Sequence, residues 1–451
     1  MGVKGIREKV TYIMKKLLAV LGFAMVLACI PVSGFSQYLR NSYFMEGSSA
    51  RMNLNPALAP SRGYINLPVI GAFGVEVNSS SLGAQDVIDI IEDENDAFYT
   101  SDAFMQKLNA ENTLAIKMNT DLLSFGWHKD KSFISFGVGA KTNVDAQIPK
   151  SMFQYLYDME NEQFIGSKKY DIRNEKLNVQ AYTEVALGYA RQLNDRLTIG
   201  GKAKVLMGVA NLNLNVNRLG IDAYIPDSYQ TVANSYADIT TDVELGLSGK
   251  GIELELDGDG YIEDVKFDKF GIGGYGAAVD LGLSFNLTDN LALSASIIDL
   301  GFISWSESAS KVYTSKGKVF REDITDTEIL DFETFGLKEG VNEARTTKLC
   351  PIMVFGGEFS MLHNKIGVGI LSTTRFGEIE NYSELTAMAT FRPSTLLNLA
   401  VSYSLLQGSD TFGLALKLGP LMVGTDYMFL SDNTKQVNAY FGLSIPLGKK
   451  E

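Results

Sequence analysis

From about residue 63 onward, apolar residues recur at every second position, the period of a β-strand rather than of a helix. In one segment Tyr275, Ala277, Val279, Leu281, Leu283, Phe285 and Leu287 form an apolar face, and Gly276, Ala278, Asp280, Gly282, Ser284 and Asn286 form a small or polar one. Leu397, Leu399, Val401, Tyr403 and Leu405 divide in the same way from Asn398, Ala400, Ser402 and Ser404. About fourteen such segments follow one another, near 64–77, 112–127, 131–145, 177–192, 196–210, 270–287, 290–303, 348–361, 364–375, 383–392, 395–406, 410–418, 420–430 and 436–447. Their connections alternate. Short polar links (His128-Lys129-Asp130, Asn194-Asp195, Thr288-Asp289, His363, Pro393-Ser394, Gly419) take turns with longer ones, including 78–111, 146–176, 211–269 and 304–347.

An even number of strands, joined by short turns at one end and long loops at the other, is the plan of a single-chain transmembrane barrel. A soluble β-sandwich or propeller also uses alternating strands, but its outer face would be charged. Here the polar face is Gly, Ser, Ala and Asn with scattered single charges, as suits a crowded lumen. The expected fold is therefore all-β: an antiparallel transmembrane β-barrel of about 14 strands over 63–447. In this register Arg at Leu281 or Leu399 falls on the lipid side and is destabilising, whereas Arg at Ser284 or Ser402 is milder.

The strongest apolar run, Leu17 to Val32, follows Lys15 and Lys16 and ends in Pro31-Val32-Ser33-Gly34-Phe35-Ser36, so residues 1–36 read as a signal peptide cleaved after Ser36. A membrane anchor, or lipidation at Cys29 after Val26-Leu27-Ala28, are the other readings of this run. With cleavage after Ser36 only Cys350 remains, which leaves no intramolecular disulfide. Loss of the leader's five basic residues and Glu8 takes the formal charge from −13 to −17, which argues against nucleic acid as a partner. No later stretch is apolar enough for a membrane helix, so a membrane-spanning form has to be a closed barrel.

Ten charged residues fall on the polar face and are expected to point into the lumen: Lys117, Lys141, Glu184, Lys202, Lys204, Asp280, Glu358, Arg375, Lys417 and Asp426. Their mixed signs favour bridging across the lumen over an ion-selective ring. The two histidines, His128 and His363, lie in or beside short turns, away from any lumenal triad or zinc centre, so no enzyme and no cofactor is expected. The segment containing Asp257, Asp259 and Gly260 is a weak metal candidate: it resembles part of a calcium loop, but Lys266 stands where a bidentate carboxylate belongs. An Asp-Gly hairpin turn is the competing reading. Within the long connections, Asp86–Ile91, Phe104–Leu108 and Met152–Tyr157 have the spacing of short amphipathic helices.

Between the leader and the first strand, Ser48-Ser49-Ala50-Arg51-Met52-Asn53-Leu54-Asn55-Pro56-Ala57-Leu58 is neither linker-like nor strand-like. The triplet Asn55-Pro56-Ala57, followed by about fourteen strands, resembles the long-chain fatty-acid transporter (FadL) superfamily, which includes the type IX secretion barrel PorV. The Phe35-Ser36-Gln37 context is similar to Bacteroidetes-type outer-membrane proteins of unassigned function. The resemblance implies that 37–62 folds into the lumen as a hatch carrying Asn55, Pro56 and Ala57. It implies a Gram-negative outer-membrane location among membrane lipid and transport of a hydrophobic or amphipathic small molecule. The alternative it implies is a non-transporting surface or secretion-assembly barrel whose outer loops bind partner proteins. Pro56 restricts Asn55 to an extended or turn conformation, and the asparagine amide suits backbone groups that a plug leaves unpaired.

Overall fold

In the computed structural model each alternating segment pairs with its sequence neighbours, and the last pairs with the first. The described residues are 39–448, apart from 67–72, 84, 87–100, 161–165, 227–233, 257–261, 323–336, 338–339, 395, 406–410 and 428–433. The leader, Cys29, residues 87–91 of the first expected loop helix, Asp257 and Asp259 lie outside them.

The wall strands are β1 (Gly63–Asn66 and Phe73–Ser79), β2 (Glu111–Lys129), β3 (Ser132–Pro149), β4 (Glu175–Gln192), β5 (Leu197–Ile225), β6 (Gly274–Asn286) and β7 (Leu291–Trp305). They continue as β8 (Ile352–Met361), β9 (Ile366–Phe376), β10 (Asn381–Phe391), β11 (Leu397–Ser404), β12 (Thr411–Leu418), β13 (Leu421–Thr425) and β14 (Gln436–Leu447). Every neighbouring pair is antiparallel, and β1 closes the ring on β14 through Gly63↔Leu447 and Phe73↔Phe441. The result is a closed 14-strand barrel, as the alternation predicts. Closure gives every wall strand a partner on both sides, so that no open edge remains in the wall among the described residues. No helix of the described residues is long and apolar enough to cross a membrane.

The two faces behave as their residues dictate. Leu187, Val205, Leu281, Phe355 and Ile370 stand exposed on the outer wall, while their chain neighbours Lys204, Asp280 and Leu371 are buried on the inner one. Tight reversals such as Asp130-Lys131, with Asp130 at φ 52, join strands at the turn end. There β2 and β3 pair down to Lys129↔Ser132, so His128 is a strand residue rather than a turn residue.

The ladder around β1 is the most uneven of those that close the ring. From Asn66 to Phe73, β14 advances only from Ser444 to Phe441 and β2 only from Ser124 to Thr120, so β1 carries surplus residues there.

At the loop end the stretches 146–176, 211–269 and 304–347 are not plain connections. The strand β5 has 29 residues, where about 9–11 cross a bilayer. Beyond the barrel it continues into a sheet ordered Gly166–Ile172, β5, Tyr236–Leu256, Ser310–Glu322. The cause is visible in the sequence: Leu219, Ile221, Ala223 and Ile225 keep the period of two past the length a membrane strand needs.

Two helices cover one face of this sheet, α1 (Asp102–Lys107), capped by Ser101 Oγ on Phe104 N, and α2 (Lys150–Glu160). Both fall on the segments whose spacing is helical. Phe104, Met105, Met152 and Tyr155 pack there with Ile172, Val216, Leu219, Ile221 and Val243. The Tyr170 hydroxyl donates to Asp158 on α2 at 2.6 Å, and burial together with that carboxylate raises its pKa.

Candidate functional site

The inside of the barrel is occupied by the chain's own N-terminal segment. Residues 39–62 form two 3₁₀ turns, Arg40–Ser42 and Ser49–Asn53, the second capped by Ser48 Oγ on Ala50 N at 3.2 Å. Leu39, Tyr43, Met45, Met52 and Leu54 are buried against wall residues such as Ala400, Ala415, Met422, Val354 and Leu371. The small residues of the inner face make this fit. Gly413 is one: a Cβ there would overlap both Ser402 Oγ and Asn41 Nδ2. Ser402 is therefore walled in by the segment, and Arg at this position is not the mild change that alternation alone suggests.

Asn55 is fully buried, and its side chain uses both ends. Its Nδ2 donates to Tyr43 Oη at 3.1 Å and lies 3.2 and 3.3 Å from the carbonyls of Leu283 on β6 and Ala295 on β7. Its Oδ1 accepts from Ala57 N at 3.0 Å, an Asx turn across Pro56. The wall opposite is glycine. A Cβ at Gly200 would lie 2.5 Å from the Pro56 carbonyl, and one at Gly282 would overlap Asn55 Oδ1. At the turn end the segment is tied by Arg392 to Phe44 O (2.6 Å), by Asn364 to Glu46 (2.8 Å) and by His128 Nε2 to Pro60 O (2.9 Å). His363 lies in the β8–β9 turn.

The ten expected charges are all found on the inner side, Glu184 and Lys202 partly accessible and the rest buried. Lys117 pairs with Glu76 at 2.9 Å, Arg375 with Asp145 at 2.8 Å and Glu358 with Arg392 at 2.8 Å. Lys141 pairs with Glu184 (3.1 Å) and Asp299 (2.9 Å), and Lys204 with Asp280 (2.7 Å) and Asp299 (2.6 Å). Asp426 accepts from Arg40 N and Asn41 N, both at 2.9 Å. Lys417 donates to Gly419 O at 2.8 Å, and Lys202 to Asn53 Oδ1 at 3.2 Å. Removing one member of such a buried pair strands the other, at a cost of about 3–5 kcal/mol.

Several partners escape the sequence reading. Glu76 and Asp145 share the polar face with Lys117, so alternation marks them. Arg40 and its partners Glu384 (2.6 Å) and Tyr427 are joined only by the fold. Asp299 is missed for another reason. The β6–β7 register shifts between Val279 and Leu281, and at this bulge Asp299 takes φ 57 and turns inward, where strict alternation would put it outside.

Above the segment, toward the loop end, opens a chamber of ≈ 250 Å³ lined by Asn78, Thr113, Leu114, Lys117, Arg375, Ile379, Tyr382 and Gln436, among others. Its flank is narrowed by contacts between strands on opposite sides of the ring: Asp145 on β3 reaches Arg375 on β9, and Asn178 on β4 donates to Glu378, after β9, at 2.6 Å. A second, smaller cavity of ≈ 60 Å³ lies lower, between the segment and β1 to β6. Among the described residues there is no cluster of three or more His, Cys, Asp or Glu suited to a metal ion.

Residues 56–426 match the model of a family described as a family of unknown function, DUF5723. No curated protein matches the chain. Among solved structures the chain is similar to the Ralstonia pickettii toluene transporter TbuX (10% identity, 93% of this chain and 100% of that one, TM-score 0.41). It is also similar to a deltaS2 mutant of TodX, the Pseudomonas putida toluene transporter (11%, 92% and 96%, TM-score 0.39), and to a Pseudomonas aeruginosa FadL homologue (9%, 91% and 98%, TM-score 0.29).

Proposed function

The chain belongs to the DUF5723 family of unknown function, and we propose that it is an outer-membrane barrel that passes hydrophobic or amphipathic small molecules through a lumen closed by its own N-terminal segment. The exposed apolar belt gives the wall a lipid-facing surface, and closure satisfies the backbone inside it. The turn end then faces the periplasm and the loop end the exterior, with both chain ends on the periplasmic side.

One observation supports the transport reading: residues 39–62, continuous with β1 at Gly63, pack against the inner wall through hydrogen bonds and apolar contacts alone, beneath a chamber toward the loop end. A filling held in that way can shift without any bond being broken. The chamber mixes Leu114 and Ile379 with Tyr382, Gln436 and paired charges, which suits a molecule with an apolar body and a polar end. The residues act as binders and closures, with no catalytic role.

The test is a disulfide lock. A Cβ built at Gly282 lies 3.0 Å from Asn55 Cγ, so Asn55→Cys with Gly282→Cys, in a Cys350→Ser background, brings two β-carbons near the usual bridging distance of about 3.5–4.5 Å. Uptake of a fluorescent apolar probe into proteoliposomes should stop on oxidation and return on reduction. Uptake equal to that of empty liposomes before locking removes the transport reading. The loop-end sheet with its own helix-covered core then makes a surface or assembly barrel, holding partner proteins by its outer extension, the better account.

A further inference from the structure

The cavity between the N-terminal segment and the wall contains two opposite charges, Asp121 and Lys202, that attract one another without an ion-pair contact, Lys202 standing opposite Asp280 across the β5–β6 ladder. Its lining includes Ser49 and Asn53 from the segment and Asn66, Asp121, Ser135 and Lys202 from the wall. The Asp121 carboxylate accepts only from neutral groups, Asn66 Nδ2 and Ser124 Oγ, each at 3.2 Å. Lys202 carries three donors and gives one hydrogen bond, to Asn53 Oδ1 at 3.2 Å. Among the described residues neither has an oppositely charged partner within 4.0 Å, whereas Lys141 and Lys204, nearby, share Glu184, Asp280 and Asp299. Both are partly accessible through the cavity, which leaves room beside them for the charges of a ligand.

We propose that this cavity binds a small zwitterion of the α-amino acid class, its ammonium on Asp121 and its carboxylate on Lys202. The chemistry follows from the two walls. Asp121 and Lys202 both line the cavity and neither makes an ion-pair contact, and the ≈ 60 Å³ they line is room for about five water-sized atoms. A lone cation suits the site less, since it gains Asp121 but meets the Lys202 ammonium. A lone anion has the opposite difficulty. A zwitterion satisfies both and adds no net charge to a low-dielectric interior. Because Ser49 and Asn53 belong to the segment, the bound molecule also holds the segment in its seat. This goes beyond the transport reading and stands apart from it: the site requires a seated segment, not a translocated substrate.

The experiment is calorimetric titration of the purified barrel in detergent with glycine and with L-alanine, set beside methylammonium, acetate and sodium as single-charge probes. The zwitterions are expected to bind saturably and to raise the thermal midpoint, with the single-charge probes at least ~10-fold weaker. Asp121→Asn and Lys202→Met are each expected to weaken the zwitterion by a similar ~10-fold or more, and Lys202→Gln serves if a variant fails to fold. Heat-modifiable migration on gels identifies folded variants. Absence of saturable zwitterion binding overturns the proposal, as does binding of methylammonium or sodium alone to the same extent, or unchanged affinity in the folded variants. Uptake of the apolar probe is measured separately, so loss of this site leaves the transport reading standing.

Discussion

Val205 and Val216 stand on one face of the same strand and meet different surroundings. The pairing keeps the face continuous: Val205 opposes Val185 and Val216 opposes Glu175, and the register shift at Ala181/Tyr182 absorbs the change of parity on β5. Yet Val205 is 57% exposed and Val216 only 1%. The first belongs to the belt around the barrel, the second to the core that α1 and α2 build against the loop-end sheet. An apolar face every second residue therefore states that something apolar must cover it. Whether the cover is lipid or protein depends on which other segments arrive there.

This contrast can be broken from either side. The largest effect is expected at Ile221, 1% exposed in the helix-covered core. Ile221→Asp buries an unmatched charge at about 3–5 kcal/mol, enough to open the extension locally. Limited proteolysis should cut the extension while the barrel keeps its heat-modifiable migration; cleavage as slow as in the parent chain means that the helices do not cover the sheet. Next comes Leu281, 54% exposed in the belt. Leu281→Arg should cost about 2–4 kcal/mol in chemical unfolding from lipid vesicles, with the extension no more sensitive to protease than before. An Arg tolerated there means that the lipid and lumen faces are inverted. The smallest effect belongs to the opposite, solvent-facing side of the extension, where Lys169 pairs with Asp222 at 2.7 Å with both side chains largely exposed. Lys169→Ala should change stability by about 1 kcal/mol or less, and a larger loss in the same proteolysis assay shows that this face, too, is covered.

Much of the barrel is legible in the sequence because the two wall faces differ so sharply. Leu281 and Asp280 are neighbours in the chain and opposites in environment, and that opposition repeats around the ring. The extension is harder to read, since Ile221 and Ala223 continue the same period into a stretch that membrane thickness assigns to loops. Within the lumen, alternation names Lys204, Asp280 and Arg375 as inward residues but not their pairings. Arg375 meets Asp145 from nearly the opposite side of the ring, a contact set by how the barrel narrows and not by local spacing. Asn55 and Pro56 stand out as a turn, while the partners of Asn55, Tyr43 and two wall carbonyls, follow only from the segment's path. Asp299 shows the limit most plainly: a single bulge reverses the face that counting assigns to it.

The surplus in β1 bears on how this chain can change over time. Between Asn66 and Phe73 β1 advances seven positions where β14 advances three and β2 four, so its two described pieces keep their pairings across a link longer than either neighbour requires. A deletion inside β6 shifts the strand by one and exchanges its outward and inward residues from that point on. A change of length at that link, beside the seam where the first strand meets the last, is thus easier to absorb than one inside a continuous stretch of ladder. Descendants of this sequence can vary in length there without rewriting the pattern of any other strand.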